Sequence, residues 1–264
     1  MYNEGRDFEE HRFQVQEALR VLEQSGYVPS NRHSVLDIGG GQGMHAGFLS
    51  ESFAKVVCAD IIDYTSLYSG EFYSLILAKY SRNGLALDGR KLQFVTSDAM
   101  NLIFRDNWFD CCVSFNAFEH IPDPGKALAE IIRVTKKGAL SYITFDPIWT
   151  CDTGGHFFHR VPQPWAHLLM SDEQYVQHML QAGADKDEIG DYCHAMNRWR
   201  YSRFLDAFEK MVAKKRMEIV FHDEYSAVAD ESHKSHVNFE AALEKGYSCD
   251  ELMLRRIRWV VRKL

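Results

Sequence analysis

The sequence predicts an α/β fold with a doubly wound, mostly parallel sheet of seven strands. Between residues 31 and 146, short apolar runs alternate with helical patterns, which is typical of βαβ units. Two further strand patterns, "RMEIVFHDEYS" and "RRIRWVVRKL", follow near the C-terminus. The alternation is interrupted over residues 147–215, which are rich in Trp, Tyr and His, and this interruption predicts a helical insertion after the fifth strand.

Each element has a local signal. Helical spacing over residues 7–24 ends at Gly26. The first five strands are predicted over "HSVLDI", "AKVVCAD", "KLQFVTSDA", "CCVSF" and "ALSYITF". Helices are predicted over "MHAGFLSESF", "SLILAKYSRNG" and "DPGKALAEIIRVTKKG", the last of them running to its Lys-Lys-Gly end. Two more are predicted near residues 171–182 and 199–213, and another over "HVNFEAALEKG".

The chain is predicted to form one domain over residues 1–264, because it contains no internal repeat and no low-complexity linker. Its four parts are an N-terminal helix (1–30), a βα core (31–146), the insertion (147–215) and the last two strands with their helix (216–264). The sequence does not indicate an oligomeric state.

Composition and charge narrow the class of protein. The 264 residues have an ordinary globular composition and a net charge of -7, which disfavours nucleic acid as a partner. The N-terminal "MYNEGRDFEEHRF" is polar and acidic, unlike a secretory signal, and no apolar run is long enough to span a bilayer. Six cysteines show no CxxC spacing. We therefore expect a cytoplasmic protein without a membrane partner.

Four polar residues fall at or just after the ends of predicted strands: Asp37, Asp60, Asp98 and Asn116. The carboxyl ends of parallel strands meet at one edge of the sheet, where ligands of such folds bind. One Asp in such a position is well explained as a helix N-cap, but the shared pattern is not. The pattern predicts that residues 31–146 bind a cofactor at this edge.

The first strand runs into a glycine-rich stretch, "SVLDIGGGQG", which lets the backbone approach a ligand closely. Two frames fit it. The segment from Gly41 to Ala46 fits the dinucleotide fingerprint GxGxxG/A, with Asp60 at about the right distance for a ribose. The segment from Asp37 to Gly43 fits the different pattern D/E-x-G-x-G-x-G. The loop alone leaves both frames open.

The longer motifs carry a resemblance. "VLDIGGGQG", "VVCADI", "FVTSDAMNL" and above all "FDCCVSFNAFEHIPDPGKALAEIIRVTKKGALSYITF" resemble the class I, Rossmann-like S-adenosylmethionine-dependent methyltransferases, in particular the type 11 group with ubiquinone and menaquinone methyltransferases. The resemblance covers residues 35–145, and "RRIRWVVRKL" is similar to the antiparallel last strand of that family. It implies S-adenosylmethionine as methyl donor and S-adenosylhomocysteine as product.

The resemblance also implies roles for individual residues. Asp37 would anchor the glycine loop and face the methionine ammonium group. Asp60 would accept hydrogen bonds from both ribose hydroxyls, and Asp98 would accept one from the adenine amino group. The Ala99 N–H would reach a ring nitrogen, and Asn116 would lie beside the methionine portion. The remaining positions implied in cofactor binding are Gly39, Gly41, Gly43, Ile61 and Met100.

A hydroxyl acceptor would need a general base, and histidine suits that role. The candidates are His120 after the fourth strand, and His156 and His159 in "CDTGGHFFHR" after the fifth. Each could instead be a structural histidine. The histidine spacing matches no metal-ligand motif, so no metal site is predicted.

The insertion is predicted to bind a small-molecule acceptor. Its "PWAHLLMSDE" run resembles a segment of methyltransferases that act on surface-polysaccharide sugars, which makes a sugar hydroxyl the first expectation and a small aromatic or secondary metabolite the second. "NAFE" after the fourth strand differs from the NPPY type of tetrapeptide, which disfavours methylation of a base or amide nitrogen. The alternatives are a nicotinamide-dependent oxidoreductase and a non-catalytic cofactor-binding module.

Overall fold

The computed structural model describes residues 3–226 and 228–264 and contains one seven-stranded sheet. The strands are β1 (Ser34–Ile38), β2 (Lys55–Asp60), β3 (Leu92–Thr96), β4 (Phe109–Phe115), β5 (Thr135–Phe145), β6 (Met217–Ser226) and β7 (Leu254–Lys263). Their order is β3-β2-β1-β4-β5-β7-β6. The first five strands pair in parallel, and β7 is antiparallel to both β5 and β6. The predicted sheet, with its antiparallel last strand, is confirmed.

Helices cover both faces of this sheet and one end of it. They are α1 (Glu4–Gln24), α2 (Met44–Leu49), α3 (Phe72–Arg82), α4 (Pro124–Val134), α5 (Ala166–Leu169), α6 (Asp172–Gln181), α7 (Lys186–His194), α8 (Tyr201–Ala213), α9 (Val237–Glu244) and α10 (Cys249–Met253). Within the described part of the chain, none of the helices has the length and apolar character needed to cross a membrane.

The alternation of side chains along the strands produces two apolar cores. On β1, Val35 packs into the core under α1, α2 and α3, whereas Leu36 packs into the core under α4 and α8. Both side chains are fully buried. Because strands buried on both faces need apolar residues at every position, the run "VLDI" is continuous rather than alternating. Asp37 is the exception within it.

One predicted boundary is wrong. The helix predicted through Lys-Lys-Gly ends as α4 at Val134, and β5 begins at Thr135. The Thr135 hydroxyl donates a hydrogen bond to the Ile131 carbonyl at 2.5 Å, which satisfies a helix-end acceptor, while its own backbone is already extended. Lys136 and Lys137 therefore lie in the strand.

The insertion divides into two structurally different parts. α8 packs on α4, and its Phe204 and Phe208 belong to the core of the sheet. The earlier helices α5, α6 and α7 instead share an apolar cluster with α9 and α10, which come from the connection between β6 and β7. Trp165, fully buried, packs on Phe239 at a ring separation of 5.2 Å. We call α5, α6, α7, α9 and α10 the cap.

Candidate active site

A cavity of about 620 Å³ lies at the carboxyl edge of the sheet, between the strand ends and the cap. Its wall includes ten of the thirteen residues proposed from the sequence: Gly39, Gly41, Asp60, Ile61, Asp98, Ala99, Met100, Asn116, His120 and His156. The fold thus brings together residues that are more than a hundred positions apart, such as Gly39 and His156. Asp37, Gly43 and His159 lie outside this lining.

Glycine is required in the loop after β1 at two positions. Gly39 has a φ of +67°, and a Cβ built there would lie 2.4 Å from the Ala117 side chain. Gly43 has a φ of +77°, and its Cβ would lie 2.4 Å from the Phe94 ring. Neither position leaves room for a larger residue. The loop backbone is therefore packed closely against Ala117 and Phe94, and its residues Gly39 and Gly41 line the cavity.

The acids at the ends of β2 and β3 shape the backbone around them. Asp60 accepts hydrogen bonds from the backbone N–H groups of Gly41 and Ile62, each at 2.9 Å. Asp98 accepts one from the Met100 N–H at 2.8 Å. A carboxylate has about four lone-pair sites, so both groups retain acceptor capacity toward the cavity.

Asp37 lies beneath the loop, with its carboxylate under Gly40. It is fully buried, and neither oxygen has a hydrogen-bond partner among the described residues. Burial, reinforced by the nearby charge of Asp60, raises the pKa of Asp37 to about 7. A buried acid without partners is costly, and a cationic group bound above the loop would compensate for it.

Asn116 follows β4 with a φ of +47°, a conformation that Asn tolerates better than most residues. Its N–H donates to the Thr144 carbonyl at 2.8 Å, which ties the end of β4 to β5. Asn116 also lines a second cavity of about 280 Å³. Asn116 thus borders both cavities at the carboxyl edge of the sheet.

His120 and His156 face each other across the cavity wall, with ring centroids 5.2 Å apart. His120 Nδ1 bonds to the Ala195 carbonyl at 3.0 Å, and His156 Nε2 bonds to the Pro147 carbonyl at 3.2 Å. Since a carbonyl only accepts, each of these nitrogens carries the hydrogen and the other nitrogen of each ring has a free lone pair.

Both imidazoles are neutral near pH 7. Burial, with a smaller contribution from His120, lowers the pKa of His156 to about 4. The packing of protein around the His120 ring lowers its pKa as well, although the residue as a whole is exposed. A neutral imidazole with a free lone pair can accept a proton.

The structure does not bring His159 to the cavity. Its ring is 61% exposed, and Nε2 lies 3.0 Å from Glu188 Oε1, an oxygen that Arg160 shares. His156 has a φ of +65°, so the chain turns sharply between the two histidines. Asp152, in the same segment, is buried against His233 at 2.5 Å.

Sequence reasoning missed Glu119. Its carboxylate is 2% exposed, and both oxygens lack a hydrogen-bond partner among the described residues. One oxygen of Glu119 and one ring nitrogen each of His120 and His156 lie within 4.8 Å of one another. The only signal was the Glu-His dipeptide after β4, since His156 reaches this place through the turn of a distant loop.

Comparisons with known proteins agree with this geometry. The family model described as a methyltransferase domain (Methyltransf_11) matches residues 36–143. An uncharacterized methyltransferase of Mycobacterium tuberculosis is 30% identical over 128 residues, which span 48% of this chain and 44% of that protein. The demethylmenaquinone methyltransferase of Clavibacter sepedonicus is 26% identical over 183 residues, 67% of this chain and 69% of that one.

Solved structures share the fold at low identity. An S-adenosylmethionine-dependent methyltransferase of Methanosarcina mazei has a TM-score of 0.53 at 18% identity, covering 92% of this chain and 97% of that one. Geranyl diphosphate C-methyltransferase of Streptomyces coelicolor has a TM-score of 0.54 at 10% identity, and the match covers 96% of this chain and 80% of that one.

The fold is that of the class I, Rossmann-like methyltransferases, and the strand-end site lies where such a fold binds its ligand. Residues 36–143 match the family model of the type 11 group that the sequence resembles. The residues fit the cofactor: the glycine loop leaves room beside the backbone, the cavity is lined by acids at the ends of β2 and β3, and the buried Asp37 lacks a counter-charge.

Proposed function

We propose that this chain transfers a methyl group from S-adenosylmethionine to a hydroxyl of a small molecule bound beneath the cap. The observation that carries the proposal is that two neutral imidazoles with free lone pairs line the same cavity as the glycine loop and the strand-end acids. S-adenosylmethionine supplies an activated methyl group for in-line displacement. The protein must align the acceptor, exclude water and accept a proton.

The cofactor is held by residues of the βα core. Asp60 accepts hydrogen bonds from the ribose hydroxyls while its bonds to the loop keep it in place. Asp98 accepts from the adenine amino group, next to the Ala99 N–H. Asp37 balances the methionine ammonium from below the loop. Gly39, Gly41 and Gly43 provide the close backbone approach, with Ile61, Met100 and Asn116 completing the wall.

The proton acceptor is His156 or His120. His156 belongs to the segment that leads into the cap, and its bond to Pro147 keeps one nitrogen turned away from that carbonyl. His120 is fixed in the same way by Ala195, the first residue of the connection from α7 to α8. His159 is not retained, because Glu188 and solvent surround its ring.

The acceptor is a sugar-type hydroxyl in our first proposal and an aromatic or secondary-metabolite hydroxyl in the second. Trp149, Trp165, Trp199 and Tyr192 do not serve as stacking platforms, because all four are buried in apolar clusters. The outer wall is instead formed by Phe157 and Met196 beside the histidines. This mixture of apolar surface and three imidazoles, those of His120, His156 and His194, suits a small neutral alcohol.

The partners that we propose are small molecules alone, without nucleic acid or membrane, in the cytoplasm; these remain predictions from charge and composition. Calorimetry with S-adenosylhomocysteine and with NAD tests the cofactor, and binding of NAD alone would contradict the proposal. Transfer of a radiolabelled methyl group to a panel of sugars, phenols and amines tests the reaction. Cofactor binding without transfer to any acceptor would favour a non-catalytic module.

A further inference from the structure

We propose that Glu119, His120 and His156 form a binding site for a divalent transition-metal ion in the wall of the cavity. One potential ligand atom from each residue lies within 4.8 Å of the other two. Ligand atoms around a zinc-like ion, at bonds of about 2.0–2.2 Å, stand roughly 3.4 Å apart. A side-chain movement of about 1 Å therefore brings the three atoms into coordination.

The two histidines are oriented as metal ligands commonly are. Each uses one ring nitrogen to bind a backbone carbonyl, His120 that of Ala195 and His156 that of Pro147. Such a bond fixes the tautomer, holds the ring plane and leaves the other nitrogen as a lone-pair donor. The two carbonyls belong to different segments of the chain, so the ring orientations are set independently of each other.

Glu119 is the oxygen ligand of the three. Both of its oxygens are buried without a hydrogen-bond partner among the described residues, whereas its backbone carbonyl is fixed by the Asn197 N–H at 2.9 Å. A buried carboxylate in that situation is unfavourable, and a cation beside it supplies the missing interaction. It is therefore a second, independent indication of a ligand at this place.

The donor set selects the kind of ion. Two imidazole nitrogens and one carboxylate suit Zn²⁺, Co²⁺, Mn²⁺ or Fe²⁺, whereas Mg²⁺ and Ca²⁺ prefer sites made of oxygen ligands. His120 and His156 line the cavity, so the remaining coordination positions face the space where a small molecule would bind.

A bound metal ion should also affect methyl transfer, and this second part of the inference rests on the proposed function. The ion and the proton of an acceptor hydroxyl would use the same imidazole lone pairs. A bound metal ion therefore removes the proposed base, and we expect divalent transition metals to inhibit methyl transfer to acceptors that need one.

The binding step is tested without acceptor. Co²⁺ is titrated into the full chain while its visible absorption is followed, with Zn²⁺ as competitor. We expect one ion per chain, and affinity at least tenfold lower in both His156→Asn and Glu119→Gln. His159→Asn is the matched control and should bind as the wild type does. If Glu119→Gln fails to fold, His156→Asn decides. Absence of binding, or equal binding by His156→Asn, would overturn the site.

The inhibition step is tested by turnover. Zn²⁺ should reduce methyl transfer over the same concentration range in which it binds, and a chelator should restore it. Turnover that is unchanged or increased by bound Zn²⁺ would overturn the competition between metal and base. Failure of the proposed function would show as absence of transfer to every acceptor and would leave the cobalt titration unaffected, so the two failures are distinguishable.

Discussion

Asp60 Oδ2 accepts a hydrogen bond from the Gly41 N–H at 2.9 Å, although the two residues are 19 positions apart. This bond fixes the glycine loop after β1 to the end of β2. The acid that we propose as the ribose ligand therefore also sets the position of the glycine loop backbone. Cofactor contact and loop geometry are coupled through one carboxylate.

Replacing this carboxylate should weaken cofactor binding strongly. In Asp60→Ala, two hydrogen bonds from ribose hydroxyls to a charged acceptor are lost, each worth about 1.5–3 kcal/mol. The affinity for S-adenosylhomocysteine should fall at least tenfold, measured by calorimetry. Asp63→Ala is the control, because that exposed acid bonds to Thr65 and Ser66 and does not line the main cavity. Unchanged affinity in Asp60→Ala would refute the ribose assignment.

The convergence of these strand ends could be predicted because its signals are local. Asp37, Asp60 and Asp98 each end or follow an apolar run, and the parallel topology brings such ends together. The end of α4 could not be predicted in the same way. Lys-Lys-Gly is typical of a helix end, whereas the Thr135 hydroxyl bonds to the Ile131 carbonyl and α4 ends at Val134. Strand and helix patterns extend over a few residues, and a capping bond between neighbouring elements is not visible in them.

The cap, and the choice between His156 and His159, could not be predicted for a different reason. Trp165 packs on Phe239, 74 positions away, so the cap depends on contacts between two segments that share no local pattern. Spacing alone made His156 and His159 equivalent candidates. The left-handed backbone at His156 separates them, and it also brings this ring toward Glu119 and His120.

The tight packing of Gly39 gives a prediction with a matched control. Gly39→Ala should reduce both Tm and S-adenosylhomocysteine affinity, because the new methyl group would meet the Ala117 side chain at 2.4 Å. Gly138→Ala has a similarly positive φ, +79°, but nothing within 4 Å of its Cβ, so it imposes the backbone strain alone. Thermal unfolding and calorimetry of both variants separate the two effects. Equal losses would contradict a steric requirement at Gly39.

The buried Asp37 should make stability depend on pH. Its pKa is about 7 in the folded chain and about 4 in an unfolded one. Between these values the native state keeps a proton that the unfolded state has lost, so the free energy of unfolding falls as pH rises from about 4 to 7. Asp37→Asn should remove this part of the pH dependence, measured by urea unfolding without cofactor. An identical pH profile in the variant would contradict the assignment.

Cofactor affinity should depend on pH in the opposite direction to stability, through the same carboxyl group of Asp37. S-adenosylhomocysteine carries an ammonium group, which favours the ionised carboxylate, so wild-type affinity should increase as pH rises toward 7. Asp37→Asn should bind more weakly at pH 7 and show a flatter dependence on pH. Calorimetry at several pH values checks this, and an equal pH dependence in both proteins would place the ammonium away from Asp37.

The proposed base gives the last prediction. Replacing the histidine that accepts the proton, in His156→Ala or His120→Ala, should lower turnover by about 10²–10⁴-fold. Cofactor affinity should change little, because neither ring is assigned a contact with the ribose or adenine. His159→Ala is the control and should retain turnover, since its ring bonds to Glu188 outside the cavity.

A comparison of acceptors of different acidity distinguishes a histidine that acts as a base from one that only shapes the cavity wall. A more acidic hydroxyl loses its proton without assistance. The loss of turnover in the variant that lacks the base should therefore be smaller with such an acceptor. A histidine that merely positions the acceptor would show the same deficit for both hydroxyls. If His120→Ala and His156→Ala both turn over normally, neither of these imidazoles is the base. The base is then elsewhere, with His194 in the same cavity lining the next candidate, or the nucleophile is a group such as an amine that reacts in its neutral form.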